Sequence, residues 1–170
     1  EHHLAHAASA FYVSPFDEAA VLTVDGFGDY ASTMLAHGDG RALSILDRVL
    51  FPHSLGLLYT AVTQWLGFPH YGDEGKVMGL APYGDPERFA HKLRQLVALD
   101  RPLFRLNLRY FSHHSKGVAM TWEDGSPSIG RVFSVELERL LGPARVPKSE
   151  VTSDHHDVAA ALQHILEEAY

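Results

Sequence analysis

The stretch VLTVDGFGD, Val21–Asp29, is where the fold is decided. Val21 to Val24 sit inside a short apolar run from Ala19, with two valines and a threonine, the composition of a buried strand. The run ends on Asp25. Asp25-Gly26-Phe27-Gly28-Asp29 then reads as a turn whose two glycines permit positive φ. Tyr30 to His37 alternates as a second strand, and His37-Gly38-Asp39-Gly40 is the next turn. Arg41 to Phe51 is a third strand. Glycine-bearing turns of about four residues predict consecutive antiparallel hairpins, hence a three-stranded sheet.

Outward from this sheet the chain is mostly helical. Upstream, Glu1 to Tyr12 reads as a helix already under way, rich in alanine, with Leu4, Ala8 and Phe11 at helical spacing. Pro15 ends it by disfavouring helix at Ser14. Downstream, Ser54 is suited to cap a helix whose stripe is Leu55, Leu58, Tyr59, Val62, Trp65 and Leu66, expected to pack on the sheet. Phe68 to Gly84 is a long glycine-rich connection, with a short helix expected over Gly75–Leu80. Asp85-Pro86-Glu87 starts a helix expected to reach Leu99. Strands are expected at Leu103–Phe111 and Val118–Trp122, and a helical stripe at Ile129–Leu141. Asp154 is suited to cap a last helix that runs to Tyr170 without a stop signal. A first helix without a cap and a last one without a stop read as cuts inside elements, at both ends of a partial domain spanning 1–170.

Length and composition bound the function. The 170 residues suffice for one domain with a core, and 46% hydrophobic with 21% charged residues is ordinary for a globular chain. The net charge of −7 argues against nucleic acid or an anionic membrane as the main partner, since both need clustered Lys and Arg. No apolar run approaches the ~20 residues of a membrane span. Without cysteine there is no disulfide or thiolate site, which fits a cytoplasmic protein.

Twelve histidines carry most of the candidate chemistry. His2 and His6 stand one helical turn apart, so both imidazoles face one side, a spacing that suits a divalent metal. A polar, partly exposed helix explains the pair equally. Asp25, at the end of a buried strand and before glycines, is placed to hold a metal while backbone amides approach phosphate. A plain hairpin turn also explains it. Lys76, between Gly75 and Gly79, is suited to meet a phosphate, although no Walker order is present and an exposed loop accounts for the run. His53 is a candidate ligand or base beside a helix cap. His3 points away from His2 and His6 and reads as structural. The doublets His113-His114 and His155-His156 read as surface residues.

Three runs taken together, HHLAHAASAFYVSPFDEAAVLTVDGFGD, FPHSLGLLYTAVTQWLGF and GKVMGLAPYGDP, resemble the O-carbamoyltransferases of antibiotic and nodulation-factor biosynthesis. HHDVAAALQHILEE near the end adds a weaker match, and Leu99 to Ser149 matches only loosely. The resemblance implies an α/β, ribonuclease-H-like half of an actin-like ATPase fold, similar to the tRNA threonylcarbamoyl transferases. It implies carbamoyladenylate made elsewhere in the protein from carbamoyl phosphate and ATP, and transfer of the carbamoyl group to a small-molecule hydroxyl acceptor. By the family motif, His2, His6 and Asp25 match three ligands of an iron site, with a further aspartate beyond Tyr170. Manganese and zinc suit the same donors. Gly26 and Gly28 match the phosphate-binding hairpin, and Lys76 and Gly79 a region near the nucleotide. A chain of this extent is expected to have no turnover alone. The competing reading is a non-catalytic scaffold or interaction domain of the same fold. Transfer to tRNA is disfavoured by the −7 charge.

Overall fold

The computed structural model describes residues 1–99, 103–123 and 125–170. It is a mixed α/β chain whose elements, in order, are α1 (His2–Phe11), β1 (Glu18–Gly28), β2 (Ala31–Asp39), β3 (Ala42–Leu50), α2 (Leu55–Trp65), α3 (Glu74–Leu80), α4 (Glu87–Leu93), β4 (Val97–Ala98), β5 (Arg105–Leu106), α5 (His113–Lys116), β6 (Met120–Glu123), β7 (Ser126–Ile129), α6 (Val135–Leu141) and α7 (Ser153–Ala169). It divides into two compact units, Glu1–Gly56 with Leu99–Arg105, and Leu57–Ala98 with Leu106–Tyr170. Among the described residues no helix is long and apolar enough to cross a membrane.

The first unit is the expected antiparallel sheet, in the order β1-β2-β3, with α1 packed on it. Side chains alternate along a strand, so Ala19, Val21, Thr23 and Asp25 share a face of β1. Ala19 and Val21 meet Ala7 and Phe11 of α1 there, with Met34, Ala36 and Leu43. On α1 the buried row is His3, Ala7 and Phe11, four residues apart and therefore one stripe. Phe11 fits because β2 carries Gly38 opposite its ring: a Cβ there would lie 2.6 Å from Phe11 Cζ.

The β1–β2 ladder is regular from Glu18 to Val24, then shifts register before Gly28 pairs with Ala31. Residues 25–27 of β1 thus bulge opposite Ser32, and bulges commonly re-aim side chains next to functional sites. Contrary to the sequence expectation, neither Gly26 nor Gly28 takes positive φ. Asp29 (φ 50) and Tyr30 (φ 70) do, as the two central residues of the tight turn between β1 and β2. At the second turn Gly40 takes positive φ (56). The Ser54 hydroxyl donates to the carbonyls of Gly26 (2.7 Å) and Asp25 (3.2 Å), tying the bulge to the chain entering α2.

The second unit is helical, with α3, α4 and the 3-10 turn Ala81–Tyr83 against α7. Gly84 lets the backbones meet, since a Cβ there would lie 2.1 Å from the His156 carbonyl oxygen. The buried Asp157 carboxylate accepts the Asp85 N–H at 2.6 Å and pairs with Arg88, which also reaches Asp154 at 2.9 Å. Several boundaries differ from the sequence expectation. α4 stops at Leu93 because Leu96 turns back to the Leu93 carbonyl and then accepts from Asn107. The strand expected over Leu103–Phe111 is the two-residue β5, followed by a 3-10 turn at Leu108–Tyr110 that the Asn107 side chain caps. Ile129 ends β7 of a β6–β7 hairpin, and the expected helix begins only at Val135, capped by Ser134. Thr152, not Asp154, caps α7, in a reciprocal box with His155. His113 is buried, its ring 5.7 Å from that of Phe111, so it is not the surface residue its doublet suggested.

Candidate metal centre

The row of β1 side chains facing α1 ends on Asp25, and the helix sets His2 and His6 beside its buried stripe. These two periodicities bring the three residues together across 23 and 19 positions of sequence. His2 Nε2 lies 2.7 Å from Asp25 Oδ2, His6 Nε2 lies 3.0 Å from His2 Nε2, and His6 Nε2 lies 3.6 Å from Asp25 Oδ2. One donor atom from each residue falls within 4.8 Å of the others. The group is open to solvent, with side-chain exposures of 36%, 54% and 40% for His2, His6 and Asp25.

This donor set fits a divalent cation. Two ligands about 2.1 Å from one cation lie roughly 3.0–3.4 Å apart at octahedral or tetrahedral angles, a range the three observed separations bracket. The protonation pattern points the same way. Neutral imidazole nitrogens offer either one N–H or one lone pair. A single hydrogen on His2 Nε2 can be shared with Asp25 and His6, whereas a cation engages a lone pair on all three atoms. Burial alone would raise the Asp25 carboxyl. The hydrogen bonds from His2 and the Gly26 N–H, with the positive charge available on His2 and His6, outweigh it and hold the carboxyl below the usual carboxylate range.

The turn after Asp25 supports the site in ways the residue types did not reveal. The Gly26 N–H donates to Asp25 Oδ1 at 2.6 Å, leaving Oδ2 to face the histidines. Asp29 Oδ2 accepts the backbone N–H of His2 at 2.8 Å, so the hairpin supplies the carboxylate at the start of α1. Gly28 sits under the His2 ring. His3 is fully buried, bonded to Thr23 Oγ at 2.8 Å and to the Ala31 carbonyl at 3.1 Å. The alternation Thr23, Asp25 on β1 was the one sequence signal for that contact. His53 is not in this cluster. Its pKa is lowered from the ordinary 6.5, first by burial and then by the charge of Arg105.

Lys76 and Gly79 lie on α3 of the second unit. Lys76 Nζ is 2.6 Å from Asp73 and 5.7 Å from the centre of the Phe68 ring, and the space beside Gly79 is open.

Comparison with known proteins places the chain in a family. All of residues 1–170 match the family model described as carbamoyltransferase N-terminus. An uncharacterized protein of Synechocystis sp. is 44% identical over 168 residues, 98% of this chain and 25% of that protein. Nodulation protein NolNO of Sinorhizobium fredii is 38% identical over 167 residues, 98% of this chain and 21% of that protein. Nodulation protein NolO of Bradyrhizobium diazoefficiens is 35% identical over 175 residues, 98% of this chain and 26% of that protein. The chain thus spans about a quarter of the length of these relatives. With a family match over its whole length, the chain belongs to the carbamoyltransferase family, as its N-terminal domain.

Proposed function

We propose that the chain is the metal-holding part of an O-carbamoyltransferase with an actin-like ATPase fold, which passes a carbamoyl group from carbamoyladenylate to a hydroxyl of a small-molecule acceptor. In that reaction the acceptor oxygen forms a bond to the carbamoyl carbon, the bond from that carbon to the AMP phosphate oxygen breaks, and the hydroxyl proton is released. Carbamoyladenylate comes from carbamoyl phosphate and ATP elsewhere in the protein, and this use of ATP fits a cytoplasmic enzyme. The observation that carries the reading is the convergence of His2, His6 and Asp25 from two elements on one point.

His2 and His6 would hold a cation through Nε2 and Asp25 through Oδ2. Two imidazoles and a carboxylate suit iron, with manganese and zinc as alternatives. A divalent cation held there supplies Lewis-acid polarisation of a carbonyl or phosphate oxygen. The chain's own part is to keep the donors deprotonated and aimed. Asp25 stays ionised because of its hydrogen bonds, and Gly26 fixes which carboxylate oxygen faces the histidines. In this reading the hairpin at Gly26 and Gly28 faces nucleotide phosphate, and Lys76 and Gly79 belong to the nucleotide region.

Metal content and carbamoyl transfer of the full-length protein and its His6→Ala variant test the proposal. Loss of one of three protein ligands is expected to lower bound metal and transfer at least about tenfold. Equal metal in the two proteins would end the reading. The 170-residue chain alone, given carbamoyladenylate and acceptor, is expected to show no turnover.

A further inference from the structure

We propose that Gly28 is a positioning residue for the metal centre: its missing side chain is the space in which the His2 imidazole sits. The inference rests on the reading of His2, His6 and Asp25 as metal ligands. A Cβ on Gly28 would lie 2.0 Å from His2 Cδ2, 2.1 Å from Cγ and 2.6 Å from Nε2. Its φ is not positive, so the backbone does not ask for glycine here and the ring above it does. Gly26, two residues earlier on the same strand, has nothing within 4 Å of such a Cβ.

The ring is 36% exposed, and a move away from position 28 takes it from the partners that hold it. Its Nε2 is 2.7 Å from Asp25 and 3.0 Å from His6, and its backbone N–H is held by Asp29 at 2.8 Å. A methyl group at position 28 therefore displaces His2 from both partners. Gly28 acts on the metal through His2, which separates this role from any contact of its amide with phosphate.

The test uses Co2+ as probe in the full-length protein, with its ligand-field absorption and titrated affinity as readouts. Gly28→Ala is expected to weaken Co2+ binding at least about tenfold and to change the band. His2→Ala is expected to weaken it as well, and the double variant to be no weaker than His2→Ala alone, because both act on one ligand. Melting temperatures give a second cycle that needs no metal. Gly28→Ala lowers the melting temperature, and adding His2→Ala restores the part that the clash removed. Unchanged Co2+ affinity in Gly28→Ala alongside a loss in His2→Ala would overturn the proposal and leave the metal centre standing. So would a double variant that melts as low as Gly28→Ala, or a Gly28→Ala whose sole defect is weaker ATP binding. Wild-type Co2+ affinity in His2→Ala would overturn the metal reading itself, and this proposal with it.

Discussion

Both ring nitrogens of His3 are used in the interior. The Ala31 carbonyl only accepts, so Nε2 carries the hydrogen and Nδ1 takes the bond from the Thr23 hydroxyl. The ring thereby joins α1 to β1 and β2 at one point, beside the two exposed histidines. His3→Leu keeps the volume and removes both bonds. It is expected to cost about 1–3 kcal/mol for each of the two groups left unsatisfied, read as a lower urea midpoint at unchanged slope. Much of this scale was legible beforehand. The four-residue spacing of His2 and His6 and the strand-end position of Asp25 made them candidates that a polar helix and a plain turn also explained, and it was the family resemblance that set the three together. Of the partners of His3, Thr23 left only the strand alternation as a trace, and Ala31 contributes a backbone carbonyl that no residue type signals. The role of Gly28 was hidden for a similar reason: its glycine was credited to a turn, whereas Asp29 and Tyr30 carry the positive φ.

At the scale of elements, the first unit followed its sequence pattern in the number and order of strands, while β1 runs through the expected turn to Gly28 and its ladder with β2 shifts register there. Short elements did not follow theirs. β6 and β7 are four residues each, and β7 contains Pro127, which argues against a strand on propensity. The start of α7 shows a second limit. Thr152 and Asp154 are both good capping types, and the choice falls to Thr152 because His155 answers it, its Nδ1 accepting the Thr152 N–H at 2.9 Å. That acceptor role requires a neutral ring. Burial, then the Arg145 charge and that of His156, against the opposing Asp154, lower the His155 pKa from its ordinary 6.5. The unfolded chain then binds the proton more readily. This contribution to stability is complete above pH 6.5 and declines as pH falls through the lowered value of the folded state. His155→Gln removes the titration, so the melting-temperature difference between about pH 7.5 and about pH 5.5 is expected to shrink.

For the molecule as a whole, the two units depend on their sequences differently. The first is built by strand alternation crossing one helix stripe, and its candidate site is the open end of that crossing. The second is built around α7, where close backbone approach at Gly84 and the Asp157–Arg88 pair determine the packing. Neither device leaves a periodic trace in the sequence, which is why its helix limits were harder to read. The buried row His3, Ala7 and Phe11 also bears on metal removal, because none of these side chains is a candidate ligand. Burying a Phe side chain such as Phe11 contributes about 1.5–3 kcal/mol, so α1 is anchored by its apolar stripe whether or not its neighbours hold an ion. Chelation is expected to leave the circular dichroism spectrum unchanged, and re-added metal to raise the melting temperature as ligand binding to a folded state does. Small zinc domains behave oppositely and unfold when stripped. A scaffold assembled before its cation arrives keeps no memory of which cation came first, so exchange of iron for zinc or manganese by dialysis is expected to be reversible.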